Sequence, residues 1–170
     1  MVYQLPSTVS DQRCEPVTNF LDLKKGDAIS FGRGFYKHFA IVLEQISDTR
    51  VEIIHLSGKL TNVVSSLCGS ARGNANIGIK VVDKNDERNV YKYTYNKTRE
   101  DGHNAADVAK TIMRQGLPVG FHLFKFNCES LVTYCVTHYV VSNQSSNTNQ
   151  DAREKLDELV RNHLTTNMTN

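Results

Sequence analysis

Phe124-Lys125-Phe126-Asn127-Cys128-Glu129-Ser130 is the stretch on which the reading of this chain turns, because the hydrophobic period changes inside it. Phe124 and Phe126 alternate as in a strand. Leu131, Val132, Cys135, Val136, Tyr139 and Val140 then recur at the spacing of one helix face. Asn127 is a favourable N-cap, so Cys128 falls in the first turn of that helix. Unpaired backbone N–H groups and the positive end of the helix dipole favour a thiolate there. A cysteine so placed reads as a nucleophile. The same pattern also suits a small buried apolar side chain, and the choice depends on what faces it.

A thiol nucleophile needs a base that accepts its proton and later delivers it, and histidine does both near neutral pH. His38 opens a β-rich run, His38 to Glu44, directly after the turn Gly34-Phe35-Tyr36-Lys37, and His55 lies on the next run, Val51 to Leu56. Ser47-Asp48-Thr49 between them predicts a hairpin. With the turn centred between Ser47 and Asp48, Ala40 faces His55, and His38, two residues away, shares their sheet face. A one-residue register slip or bulge would put them on opposite faces. On this register His55 holds the far nitrogen of His38, the orienting task a carboxylate performs in a serine-protease triad. Each histidine alone also reads as a hydrogen-bonded core residue. Cys135 faces the core of its helix, and Cys14 and Cys68 fall in the tail and a loop. His122 is the one histidine near Cys128 in sequence and is placed to line the same pocket.

Around this centre the pattern predicts an α+β domain. Ala28 to Phe31, Ile77 to Val82 and Val90 to Tyr95 read as further strands, and residues 62–76 as a loop rich in small polar residues. A helix is capped by Asn104, carries Asp107 at the capping-box position and ends at Gly116 and Pro118. Residues 1–20 read as a polar, irregular tail and 21–141 as the domain. Residues 142–170 read as a polar linker followed by a weak amphipathic helix carrying Leu156, Leu159, Val160 and Leu164.

The chain has 170 residues, 39% hydrophobic and 22% charged, with a net charge of +2, which suits one soluble domain. Its basic residues are dispersed, so no nucleic-acid partner is expected. No apolar run is long enough to cross a bilayer, and the N-terminus lacks the basic and apolar regions of a secretory signal. The expected location is therefore the cytoplasm, where the four cysteines stay reduced thiols. None forms a Cys-x-x-Cys pair, so no metal is expected, and no cofactor either.

Gly26-Asp27-Ala28-Ile29, Tyr36-Lys37-His38-Phe39-Ala40-Ile41, Ile53-Ile54-His55-Leu56 and Asn127-Cys128-Glu129 together resemble the lecithin retinol acyltransferase-like family over about residues 21–140. The layout is most similar to the small phospholipase A/acyltransferases, distant relatives of NlpC-type thiol hydrolases. The resemblance implies a circularly permuted papain-like fold, an antiparallel sheet packed against the nucleophile-bearing helix. It implies a phospholipid substrate, with Cys128 attacking a glycerophospholipid ester, His38 as base and His55 as the third, orienting member. Tyr36, Phe39, Asn127 and His122 would line the substrate site. The acyl group then passes through a thioester to water or to an amine or hydroxyl acceptor. Contact with membranes would be transient and peripheral. Ser130-Leu131 departs from the histidine-phenylalanine that commonly follows Asn-Cys-Glu, and the stretch between the two histidines is longer than in the small vertebrate enzymes. Two other readings remain open. One is a non-enzymatic interaction protein, like some picornaviral non-structural proteins that share the histidine box and Asn-Cys motif. The other is an NlpC-type peptidase or amidase.

Overall fold

The computed structural model describes residues 12–33, 36–57, 76–87, 89–117, 127–141 and 150–164. Six strands, β1 (Gln12–Pro16), β2 (Ala28–Arg33), β3 (Tyr36–Gln45), β4 (Arg50–Ser57), β5 (Asn76–Asp83) and β6 (Tyr91–Tyr95), form one sheet in the order β1-β6-β2-β3-β4-β5. Every neighbouring pair is antiparallel. Among the described residues three helices follow: α1 (Ala105–Gln115), α2 (Cys128–Thr137) and α3 (Gln150–Leu164). The chain is thus α+β, as its pattern predicts.

Strict alternation along the central strands gives the sheet two apolar faces. Phe39, Ile41, Leu43, Ile54, Leu56, Tyr93 and Tyr95 line one, and the helices cover it, with Ala109, Ile112, Leu131 and Val132 in the same cluster. Ile29, Phe31, Ala40, Val42, Val51 and Ile53 line the other, which Phe20, Leu23 and Val90 close. The helix α3 joins the first cluster through Ala152, Leu156 and Val160. Its Asp157 accepts from Tyr134 Oη at 2.8 Å and lies 2.5 Å from His138 Nε2, so polar contacts fix its rotation against α2.

The irregular tail expected at the N-terminus is corrected over residues 12–20. Gln12–Pro16 pairs with β6 along its length, and Phe20 is fully buried in a short 3-10 turn. The strand is an edge strand with mostly exposed side chains, held by its main chain, so it shows no apolar alternation. Residues 1–11 and Cys68 lie outside the described residues.

Both predicted N-caps form. Asn104 Oδ1 accepts from Ala106 N–H at 2.9 Å, and Asn127 Oδ1 accepts from Ser130 N–H at 2.9 Å. Asp107, placed for a capping box, instead pairs with Lys25 Nζ at 2.6 Å, because the turn before β2 packs on the start of α1. Gly26 is the hinge of that contact. Its φ is +92°, and a Cβ there would sit 2.8 Å from Asn104 Oδ1. Gly26→Ala should therefore both strain the turn and push the cap aside, costing about 1–3 kcal/mol in urea unfolding. An unchanged midpoint would show that the turn and the cap are not coupled.

Candidate active site

The histidine pair is built by the β3–β4 hairpin. Ala40 faces His55 as the sequence register requires, followed by Ile41–Ile54 and Val42–Ile53. A bulge between Val42 and Glu44 then shifts the ladder by one, so that Glu44 faces Glu52 and Gln45 faces Val51. Next to the turn the ladder is thus centred on Asp48 rather than between Ser47 and Asp48, and it is the bulge, on the turn side of the histidines, that brings Ala40 opposite His55 instead of Leu56. Ala40 has no bulk to interpose, and the two rings meet across it. His38 Nε2 and His55 Nδ1 are 2.9 Å apart, with the rings edge to face at 77° and centroids at 5.0 Å. Phe31, paired with His38 across β2, stacks on the other side of that ring at 6.5 Å. Both imidazoles are half-buried, and the aromatic neighbour and the hydrogen bond together fix the orientation of His38.

Cys128 arrives from the helical side. The Asn127 cap starts α2 so that the thiol is carried to the margin of the sheet beside β3. Main-chain groups of Val42 bond towards β2, through Gly26 N–H and Asp27 O, so those of Lys37 and Phe39 point to the β4 edge. The β3–β4 ladder ends at Ala40–His55, and Sγ takes the edge beyond it. Phe39 N–H donates to Sγ at 3.4 Å, and the thiol lies 3.9 Å from Lys37 O. The sulfur thus rests against the main chain on both sides of His38. The imidazoles emerge on the sheet face shared with Phe31 and Ala40, and α2 packs on the opposite face, so the sulfur meets the histidine strand at its edge, through the main chain on either side of His38.

Helix-start position alone predicts an acidic thiol, and that expectation is corrected. Burial is the larger effect and pushes the Cys128 thiol up, although N–H groups of Phe39, Glu129 and Cys128 itself act in the opposite direction. Cys135, on the core face of α2, is fully buried, and burial pushes its thiol up to about 12. Cys14 is exposed on β1.

Of the remaining residues singled out in the sequence, Phe39 is buried under the helical layer with its N–H on Sγ, and Asn127 is the cap of α2. His122 lies outside the described residues, as does the side chain of Tyr36, which opens β3. Sequence reasoning missed Phe39 N–H as the donor to the sulfur, since a main-chain group carries no sequence signal. Among the described residues no cluster of three or more His, Cys, Asp or Glu could hold a metal, and no helix is long and apolar enough to cross a membrane.

Residues 21–141 match the family described as lecithin retinol acyltransferase. The chain belongs to that family. Membership covers both histidine strands and the whole helix that starts at Cys128, and it points to acyl-transfer chemistry. No curated protein and no solved structure matches the chain.

Proposed function

We propose that this member of the lecithin retinol acyltransferase family is a thiol phospholipase A/acyltransferase that cleaves a glycerophospholipid ester through a thioester on Cys128. The observation that supports the reading is the contact of the sulfur with the main chain at the edge of β3. A helix-start sulfur rests on the main chain around His38, and His38 Nε2 is held by His55 at 2.9 Å. With Nε2–H donating to His55, Nδ1 of His38 carries the lone pair that takes the thiol proton. The sulfur attacks the ester carbonyl, the S–C bond forms and the C–O bond breaks. His38 returns the proton to the departing lysophospholipid oxygen. Water, or an amine or hydroxyl acceptor, then attacks the thioester and its proton passes through His38 to the sulfur. His55 acts on the imidazolium, whose Nε2–H bond to it strengthens when the ring is charged. The Cys128 N–H at the helix start is the natural oxyanion donor.

Incubation with a defined phosphatidylcholine should give a Cys128 adduct one acyl group heavier by intact mass, together with released fatty acid. Iodoacetamide should label Cys128 much faster than Cys135. No adduct, no fatty acid and equal labelling would leave a binding protein that uses the same scaffold without chemistry.

A further inference from the structure

The two edges of the sheet are built differently. β1 carries Arg13 and Glu15 among its exposed side chains and ends on Pro16, features that keep an edge strand from pairing with a neighbour. β5, at the opposite edge, is eight residues long, has no proline, and carries Lys80 as its only charge before Asp83. Ile77, Ile79 and Val81 alternate on the face of Leu56 and Ile54, which the helices cover further in. Ile77 still packs against that cluster, but Ile79 is 45% exposed and Val81 38%. Every second residue of β5 also turns its N–H and C=O away from β4. Among the described residues no strand lies beyond β5 to receive them. An apolar row beside outward main-chain groups is a template for another strand.

The strand that β5 fits is its own sequence run antiparallel. Opposed residues of an antiparallel pair share a face, so a two-fold pairing of β5 with itself must centre on a residue and not between two. Centred on Ile79, the axis sets Ile79 against its own copy, Ile77 against Val81, and Lys80 against Gly78. The apolar side chains of both copies then form one continuous cluster. An added Cβ at Gly78 would meet nothing within 4 Å, so that position leaves room for the lysine. Centring on Lys80 would set two ammonium groups face to face, and centring on Gly78 would carry Val81 past the end of the opposite strand. We propose that β5 is a homodimer edge, pairing antiparallel with β5 of a second copy about an axis through Ile79, so that the two six-stranded sheets become one. Lys80 of the second copy then extends the row Ala40, His55, Gly78, and the face that carries the imidazoles continues into the neighbour. A lipid surface fits the same apolar row less well, because hydrocarbon offers the outward N–H and C=O groups no partner.

Sedimentation velocity of the full chain from about 1 to 100 μM spans the affinities expected of a small interface built on one strand pair. Wild type should pass from monomer to dimer in this range. Ile79→Lys puts two like charges on the axis, at a position already open to solvent, and should raise the dimer Kd about a hundredfold while the monomer unfolds at the same temperature. Val81→Lys, which faces Ile77 instead of itself, should raise it less. In a Cys14→Ser background, which removes the exposed thiol of β1, mild oxidation of Ile79→Cys should join two copies through position 79, and Lys80→Cys should cross-link more slowly. A wild type that stays monomeric, a dimer that survives both lysine substitutions, or faster cross-linking through position 80 overturns the proposal. Monomeric wild type that binds phosphatidylcholine vesicles, and loses them in Ile79→Lys, would assign the edge to lipid and overturn it as well.

Discussion

Cys128→Ala is expected to bring acyl transfer down to the uncatalysed level while lowering the melting temperature by only a few degrees. The side chain is partly buried and gives up one sulfur atom, which costs on the order of 1 kcal/mol, or about 2–4 °C for a domain of this size. The chemical loss is expected to be complete because among the described residues no other thiol can substitute: Cys135 is sealed in the core and Cys14 stands on the far edge strand. His38→Ala should follow closely, with kcat/KM down by about 10²–10⁴. Its effect should be large because burial disfavours the thiolate, so the sulfur depends on a base more than an acidic helix-start cysteine would. His55→Ala removes only the partner of Nε2, and a loss of about tenfold is expected. Iodoacetamide labelling of Cys128 gives an independent readout and should slow in His38→Ala. A Cys128→Ala protein that keeps its activity, or one that loses several kcal/mol of stability with no activity to lose, would return the cysteine to the role of a packing residue.

The elements that carry this site were legible because their signals are local. Asn104 and Asn127 are short polar side chains before apolar stripes, and both cap helices. Ser47-Asp48-Thr49 marks the hairpin, although the pairing of Ala40 with His55 also needs a bulge that the sequence does not mark. The bulge at Val42 to Glu44 was not legible, since no glycine or proline marks it; falling between the turn and the histidines, it offsets a turn centred on Asp48 and so restores the expected pairing. What faces what across layers was a different matter. Alternation says that His38 and His55 share a face, but not that the helices would pack on the other one. Only packing decides which apolar stripe they cover, and here they cover Phe39, Ile41 and Ile54.

Two further misreadings have the same origin. Gln12–Pro16 lacks apolar alternation because an edge strand needs only main-chain partners, and β6 supplies them. The helix start at Cys128 was read correctly, but its influence on the thiol was not, because dipole and N–H groups are visible in a local pattern and burial is not. Lys37 shows the converse. Its neighbours in sequence give no hint of Tyr91 and Tyr93, which reach it only because β6 is the next strand beyond β2.

The largest stability effect is expected at Asp101, far from the thiol, and its size follows from which partner is left behind. Arg99 Nε and Nη2 bond the Asp101 carboxylate at 2.9 and 2.5 Å, and Nη1 donates to Tyr134 O at 3.1 Å. Together with Arg99 N–H on Val136 O at 3.0 Å, these bonds tie the segment between β6 and α1 to the back half of α2. The Arg99 side chain is 3% exposed and that of Asp101 is 32% exposed. Asp101→Ala therefore strands a buried guanidinium and should cost about 3 kcal/mol. Arg99→Met keeps the volume and leaves a carboxylate that water can reach, so about 1–2 kcal/mol is expected. The Arg99 guanidinium holds the Asp101 carboxyl at about 2, against an ordinary value of 3.8. A depressed carboxyl stabilises fully above its unfolded value, and the contribution fades as pH falls from there towards the folded one. Urea unfolding should thus separate wild type from Asp101→Ala by a constant margin between pH 7 and pH 5, and the margin should shrink steadily towards pH 2. Equal costs for the two substitutions, or a margin that does not change with acid, would mean that the pair contributes by packing and not by charge.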